Sequence, residues 1–212
     1  MTNLAIDRIV EQGCAFNLFN PMPMGDIRLA IHALFSDLEK HRIAYTLVGE
    51  VALLSYVKGR NTQDIDLIVQ PEQAVKLFGS LKKQDDFFGE VEYKGIQVDL
   101  LFATHPVFHE VHRHAWTHVW FGEQSVRCAT REGLLLIKLH ALPSLYRQGV
   151  LDRAALYETD ILLLHQGETL DDERILAKLE PHLGPQDVQQ LRQILAEQKK
   201  RTRFVEKNNL YT

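Results

Sequence analysis

Asp64 and Asp66 lie two residues apart in DIDLIV, a run whose other residues are apolar. Alternate residues of a strand face the same side, so the two carboxylates project together while Ile65, Leu67 and Val69 turn to the opposite face. Like charges side by side on an otherwise buried strand cost energy unless a cation neutralises them or one takes up a proton. A hard divalent cation such as magnesium, which takes oxygen ligands and keeps positions open for phosphate, removes that conflict. A third acid, Asp99, stands in a second apolar run, QVDLLF. Ahead of both, a strand ending at Val48 passes into Gly49 and a helix, a geometry that turns backbone N–H groups toward an anion. Such a turn, a strand with two carboxylates and a third carboxylate on a neighbouring strand suit phosphoryl transfer, in which two cations about 3.5 to 4 Å apart act on the attacking and leaving oxygens.

Lys138 lies in LLLIKLHAL, apolar on nearly every side of a helix, which is the pattern of a buried one. A buried ammonium needs an anionic partner or a shifted pKa; the alternative is a lysine whose stem snorkels to the surface. His109, His112, His114 and His118 crowd HEVHRHAWTH. On a helix they fall into two pairs that do not converge on one ion, so a solvated polar segment is expected rather than a metal site. Trp116, Trp120 and Phe121 read as core anchors, and Tyr56 and Tyr146 as packing residues. Ser55 and Ser144 have no nucleophile-elbow context.

The elements that must position these residues alternate over the first two thirds of the chain. A Pro-broken stretch, NPMPMG, separates a short N-terminal segment from an amphipathic helix capped by Asp26 and running to His41. Strands are expected at 43–48 and 64–69, a short helix from Gly49 to Val57, and a surface helix from Pro71 to Lys83. VEYKGIQVDLLFA reads as a hairpin turning at Lys94-Gly95, and 117–128 as two further strands turning at FGEQ. Beyond Thr130 the pattern is helical, with segments near 131–149, Asp152–His165, Asp171–Leu179 and Gly184–Arg203. The expected fold class is therefore α/β (α+β), a mixed sheet flanked by helices with a C-terminal helical part. The expected division is 1–24, 25–129 and 130–212.

A chain of 212 residues with a formal net charge of −4 offers no global positive field for nucleic acid or an anionic membrane. Lys199, Lys200, Arg201 and Arg203 form the densest basic run, expected at a helix end where the dipole favours cations. No stretch reaches the roughly 18 to 20 apolar residues of a membrane span. The opening MTNLAIDRIVEQGC mixes acids with its apolar residues and does not read as a secretory signal. Cys14 and Cys128 are not in metal-ligand spacing and give no disulfide framework, so a cytoplasmic location is expected.

LVGEVALLSYVKGRNTQDIDLIV, followed by VDLL at 98–101, resembles the signature of the nucleotidyltransferase superfamily, which has the polymerase beta type of fold. VRCATREGLLLIKLHALPSLYRQG and YETDILLLHQ are similar to the helical half of AbiEii-like toxin nucleotidyltransferases and their uncharacterised relatives, and the resemblance spans roughly residues 26–165. It implies that Asp64 and Asp66 are ligands of Mg²⁺ or Mn²⁺, and that Asp99 is the third carboxylate and activates the acceptor hydroxyl. It further implies that Gly49 lies against the triphosphate, that Lys138 contacts phosphate, and that Arg60 and Thr62 lie beside the nucleotide. Transfer of a nucleoside monophosphate from a nucleoside triphosphate to a hydroxyl follows. The acceptor is left open between a tRNA or other RNA, a protein side chain and a small molecule, and a toxin or antitoxin partner is implied. The superfamily carries Gly or Ser where this chain has Glu50, beside the nucleotide's phosphates. The alternative reading is a degenerate nucleotidyltransferase-fold protein that binds nucleotide or a partner without catalysis.

Overall fold

Apolar and polar residues alternate on both sides of Lys94-Gly95, and both residues adopt positive φ, 48° and 83°, the requirement of a tight two-residue hairpin turn. That hairpin joins β4 (Phe88–Tyr93) to β5 (Ile96–Phe102), with Tyr93 opposite Ile96. The computed structural model describes residues 24–57, 64–166 and 169–209; the expectations for 1–23, Cys14, Arg60 and Thr62 lie outside the described residues. The chain divides into two compact units, 1–130 and 131–212, and each is considered by itself.

Among the described residues, the first unit forms a seven-stranded mixed sheet in the order β3-β4-β5-β2-β1-β7-β6. Its remaining strands are β1 (Tyr45–Val48), β2 (Asp64–Val69), β3 (Lys83–Gln84), β6 (Trp116–Phe121) and β7 (Gln124–Ala129). β1 pairs antiparallel with β2 and parallel with β7, while β2 runs parallel to β5. Helix α1 (Met24–Lys40) covers the apolar face: Phe35 stacks on Tyr45 at 5.7 Å, and Asp37 accepts a hydrogen bond from Tyr93. Beneath it lie Leu47, Ile65, Leu67, Ile96, Val98 and Leu100, all fully shut from water. Short α2 (Gly49–Leu53) follows β1, and α3 (Pro71–Phe78) follows β2.

Helix α4 (Pro106–His114) packs on β1, β2 and β5, and buried His112 shares a 3.0 Å hydrogen bond with the buried Thr46 hydroxyl. Thr46 pairs with Ile68, so α4 covers the other face at the end of β2 beyond Asp66. This helix corrects the expectation of a solvated histidine segment. Val107, Phe108, Val111 and His112 make one buried face, while His109, His114 and His118 are exposed. Trp120 is a second correction, lying 53% exposed on edge strand β6, whereas Phe121 is wholly buried. Half-buried Trp116 carries the Arg127 guanidinium 4.0 Å over its ring. Some boundaries also differ: α1 begins ahead of Asp26, β1 is shorter than 43–48, α2 ends at Leu53, and α3 stops at Phe78 with Lys83 entering a strand.

The second unit is helical: α5 (Arg131–Arg147), α6 (Leu151–Leu164), α7 (Asp172–Leu179) and α8 (Pro185–Asn209). Leu134, Leu135, Leu139, Ile161, Leu164, Leu179 and Leu191 are buried in it. Asp171 caps α7 by accepting from the Arg174 amide at 3.1 Å. His165 donates from one ring nitrogen to the Ile161 carbonyl at 2.7 Å and from the other to Asp172 at 2.8 Å, and Lys199 stands 2.7 Å from the second Asp172 oxygen. This ties the end of α6 to α7 and α8, and it accounts for Lys199 in the basic run. Tyr146 and Tyr56 are spent on hydrogen bonds, to Glu158 and to the Ala129 carbonyl, as packing residues would be. No described helix is long and apolar enough to cross a membrane.

Candidate active site

The parallel pairing of β2 with β5 sets Asp64 beside Gln97 and Asp66 beside Asp99. The hairpin extends both rows: Glu92 pairs with Gln97, and Glu90 with Asp99. Pleating puts all six on one face of the sheet. Two short rows therefore form a block, Glu92–Gln97–Asp64 and Glu90–Asp99–Asp66, in which five positions carry carboxylates. Like charges directly opposite one another on adjacent strands destabilise a sheet, so such a block has to be balanced by cations or hydrogen-bond donors. Lys82 answers part of it, donating to Glu92 at 2.7 Å. Gln97 donates from Nε2 to Asp99 Oδ1 at 2.8 Å. Asp99 and Glu90 also line a depression of about 320 Å³ with Gln84, Asp85 and Phe88.

The second row runs on to Val48, the partner of Asp66 on β1, and so ends at Gly49. Gly49 has φ of +66°, and a Cβ built on it would stand 1.8 Å from Asp66 Oδ2 and 2.8 Å from Asp66 Cβ. Only glycine suits that place, for its backbone conformation and for the carboxylate lying against it. The structure thus brings Asp64, Asp66, Asp99 and Gly49 together. Glu50, half-buried, occupies the first turn of α2 directly after Gly49.

The donor set fits magnesium in kind: carboxylate oxygens in register on one face of the sheet. Among the described residues, however, no group of three or more His, Cys, Asp or Glu side chains is gathered so that it could hold an ion by itself. Magnesium beside a nucleotide takes only one or two carboxylates, the rest of its shell being phosphate oxygens and water. Asp66 and Asp99, as direct partners, are the pair that would hold it.

Lys138 belongs to the second unit. It is buried with its ammonium 2.8 Å from Asp160, also buried, and 4.3 Å from the centre of the Tyr157 ring. Asp160 is thus an anionic partner of the kind that an apolar helix demands of such a lysine.

Glu90, Glu92 and Gln97 escaped the sequence reading. The signal was present: once Lys94-Gly95 is taken as a two-residue turn, the pairs 92 with 97 and 90 with 99 follow by counting outward.

Neither a protein-family model nor a curated protein sequence matches this chain. Solved structures do. A nucleotidyltransferase-like antigenic protein of Paracoccidioides brasiliensis superposes with a TM-score of 0.56 at 16% identity, over 83% of this chain and 89% of that one. The antibiotic-resistance factor ANT(2'')-Ia in solution superposes with a TM-score of 0.51 at 14% identity, over 87% of this chain and 97% of the other. The chain has the nucleotidyltransferase fold.

Proposed function

We propose that this nucleotidyltransferase-fold chain transfers a nucleoside monophosphate from a nucleoside triphosphate to a hydroxyl acceptor, releasing pyrophosphate. The observation that carries the reading is the row Glu90–Asp99–Asp66 ending against the bare backbone of Gly49. Asp66 and Asp99 would be the direct ligands of Mg²⁺ or Mn²⁺, with Asp64 as the third carboxylate beside them, and the ion when bound would neutralise phosphate oxygens. The chain's own part is to hold the triphosphate beside Gly49 and to take the acceptor's proton on Asp99, which borders the depression. By the family resemblance, Arg60 and Thr62 would be the further residues beside the nucleotide. A tRNA, a protein side chain and a small molecule remain the acceptor classes. The resemblance of 126–149 and 157–166 to AbiEii-like toxin nucleotidyltransferases supports a cytoplasmic toxin–antitoxin setting with a protein partner.

Purified protein incubated with labelled triphosphates and cellular RNA, protein or metabolite extract, with Asp66→Ala alongside, tests the activity. No transfer to any fraction, together with no metal-dependent triphosphate binding, sinks it. A further sign belongs to the block itself. Asp66→Asn removes one of several opposed charges, so it should raise the melting temperature in chelator while abolishing the stabilisation that magnesium plus triphosphate gives the parent. If neither quantity changes, Asp66 is not in a cation site.

One observation favours a second reading, a catalytically degenerate member that binds nucleotide or a partner: Glu50 sets a carboxylate immediately after Gly49. Calorimetry with ATP, GTP and CTP separates the two. Tight binding by the parent in magnesium speaks for the enzyme. Binding that arises only in Glu50→Gly or Glu50→Ser speaks for the degenerate protein.

A further inference from the structure

The sheet ends differently at its two edges. Edge strand β3 is two residues long and carries Lys83, with Lys82 just ahead of it, the short and charged form that discourages further pairing. Edge strand β6 is six residues long, WTHVWF, and holds no Asp, Glu, Lys, Arg, Gly or Pro. All but His118 are aromatic or β-branched, the residue types that favour a sheet. Nothing in that strand turns another one away.

The hairpin decides which backbone groups of β6 are left over. Its two-residue turn closes on the pair Phe121 with Gln124, so Phe121, Val119 and Thr117 exchange their hydrogen bonds with β7. The alternation continues to Ala115, whose carbonyl accepts from the Thr130 amide at 2.9 Å. The N–H and C=O groups of Trp116, His118 and Trp120 therefore point away from β7, along the open edge, and among the described residues they have no backbone partner. The three side chains share one face, on which Trp120 is 53% exposed, His118 exposed and Trp116 half-buried.

We propose that β6 is the interface through which two copies of this chain join their sheets edge to edge. Antiparallel pairing about a two-fold axis at His118 opposes His118 to its own copy and Trp116 to Trp120 on either side, and each opposed pair exchanges both its bonds. Aromatic pairs of that kind stabilise a sheet, and an uncharged strand meets its copy without the penalty of like charges. Counting past the strand ends in the same register brings Glu123, in the turn of one copy, toward Arg113, at the end of α4 in the other. The charges are complementary, and the axis supplies the contact twice. Because that axis stands perpendicular to the sheet, both acidic blocks lie on one face of the joined sheet. A strand edge is small against the roughly 1,600 Å² of a standard interface, so the equilibrium belongs in the micromolar range. The pairing is independent of the reaction proposed above.

Analytical ultracentrifugation of the full chain, from low to several hundred micromolar, tests it together with hydrogen exchange of the β6 amides. The parent should pass from monomer to dimer, and the amides of Trp116, His118 and Trp120 should gain protection as it does, while those of Thr117 and Val119 are protected at every concentration. His118→Lys and His118→Glu each set like charges face to face at the axis, so each should stay monomeric with the melting temperature of the dilute parent. Their equimolar mixture should dimerise again, a rescue that damage to the fold would not give. A parent that is monomeric throughout overturns the proposal. Free exchange of the three amides in that monomer leaves the edge to another partner, and constant protection means that the chain's own residues cover it. A parent dimer that both charge variants leave intact shows that the copies meet elsewhere, and a mixture that stays monomeric refutes the two-fold at His118. Should a charge variant fail to fold, the concentration dependence of exchange in the parent decides by itself.

Discussion

At the scale of single residues, Gly49 is the position at which geometry permits one side chain only. An alanine methyl would meet the Asp66 carboxylate at 1.8 Å from Oδ2, and the residue would have to hold a φ of +66° as well. The left-handed backbone alone costs a non-glycine residue about 1 to 2 kcal/mol, and Asp66 is too short to swing aside without leaving its row. Gly49→Ala should therefore lower stability by about 2 kcal/mol or more in urea melts, and it should cost magnesium–ATP binding by calorimetry more than tenfold. A variant that loses stability but binds as the parent does would separate the glycine from the site. The acids were legible from DIDLIV and QVDLLF because a carboxylate among apolar residues stands out in one dimension. The partner of Lys138 was not legible in the same way: Asp160 lies a helix away, and the sequence shows the need for an anion but not which anion answers it.

Elements carry a pH dependence of two opposite signs. In the first unit α4 is pinned to β1 through His112, whose pKa burial pushes down to about 4, with Arg127 nearby adding to the effect. The unfolded chain protonates near 6.5 and the folded one near 4, so stability is whole above the first value and falls as pH drops toward the second, by up to about 3 kcal/mol. Hydrogen exchange of the β1 amides between pH 7 and pH 4 should register that loss, and His112→Asn should flatten it. In the second unit burial opposes the charge on His165, but Asp172 and the Ile161 carbonyl prevail and raise its pKa. The raised value means the tie between α6 and α7 is fully formed below the unfolded value of 6.5 and is lost as pH climbs through the folded one. His165→Gln should therefore cost the helical unit about 2 kcal/mol near pH 6 and progressively less toward pH 9. A cost that stays level across that range would show that protonation plays no part. Helix α4 is also the element that the sequence concealed. Three of its nine residues are histidines, so its polarity hid the stripe of Val107, Phe108, Val111 and His112 that the sheet buries.

For the whole molecule, the strand–helix alternation followed by a helical third gave the fold class before any coordinates, since apolar periodicity reports directly on which faces are buried. The sheet order was less accessible. Parallel pairing of β2 with β5 and of β1 with β7 joins segments far apart in the chain, and nothing local records which strands will meet. The same order has a kinetic consequence. The β4–β5 and β6–β7 hairpins close short loops and can form early, whereas Asp66 reaches Asp99 only when β2 docks against β5 across the intervening helix and strands. Non-local pairings of this kind are the slow ones. Until that docking the opposed carboxylates are apart and offer a cation little to grip, so a transition state that precedes it is indifferent to magnesium. Magnesium with triphosphate should accordingly leave the refolding rate of the sheet unchanged and slow its unfolding by the full extent of the ligand's stabilisation, in a stopped-flow chevron. An acceleration of refolding would mean that β2 has already found β5 at the barrier, and that the site begins as the nucleus of the fold.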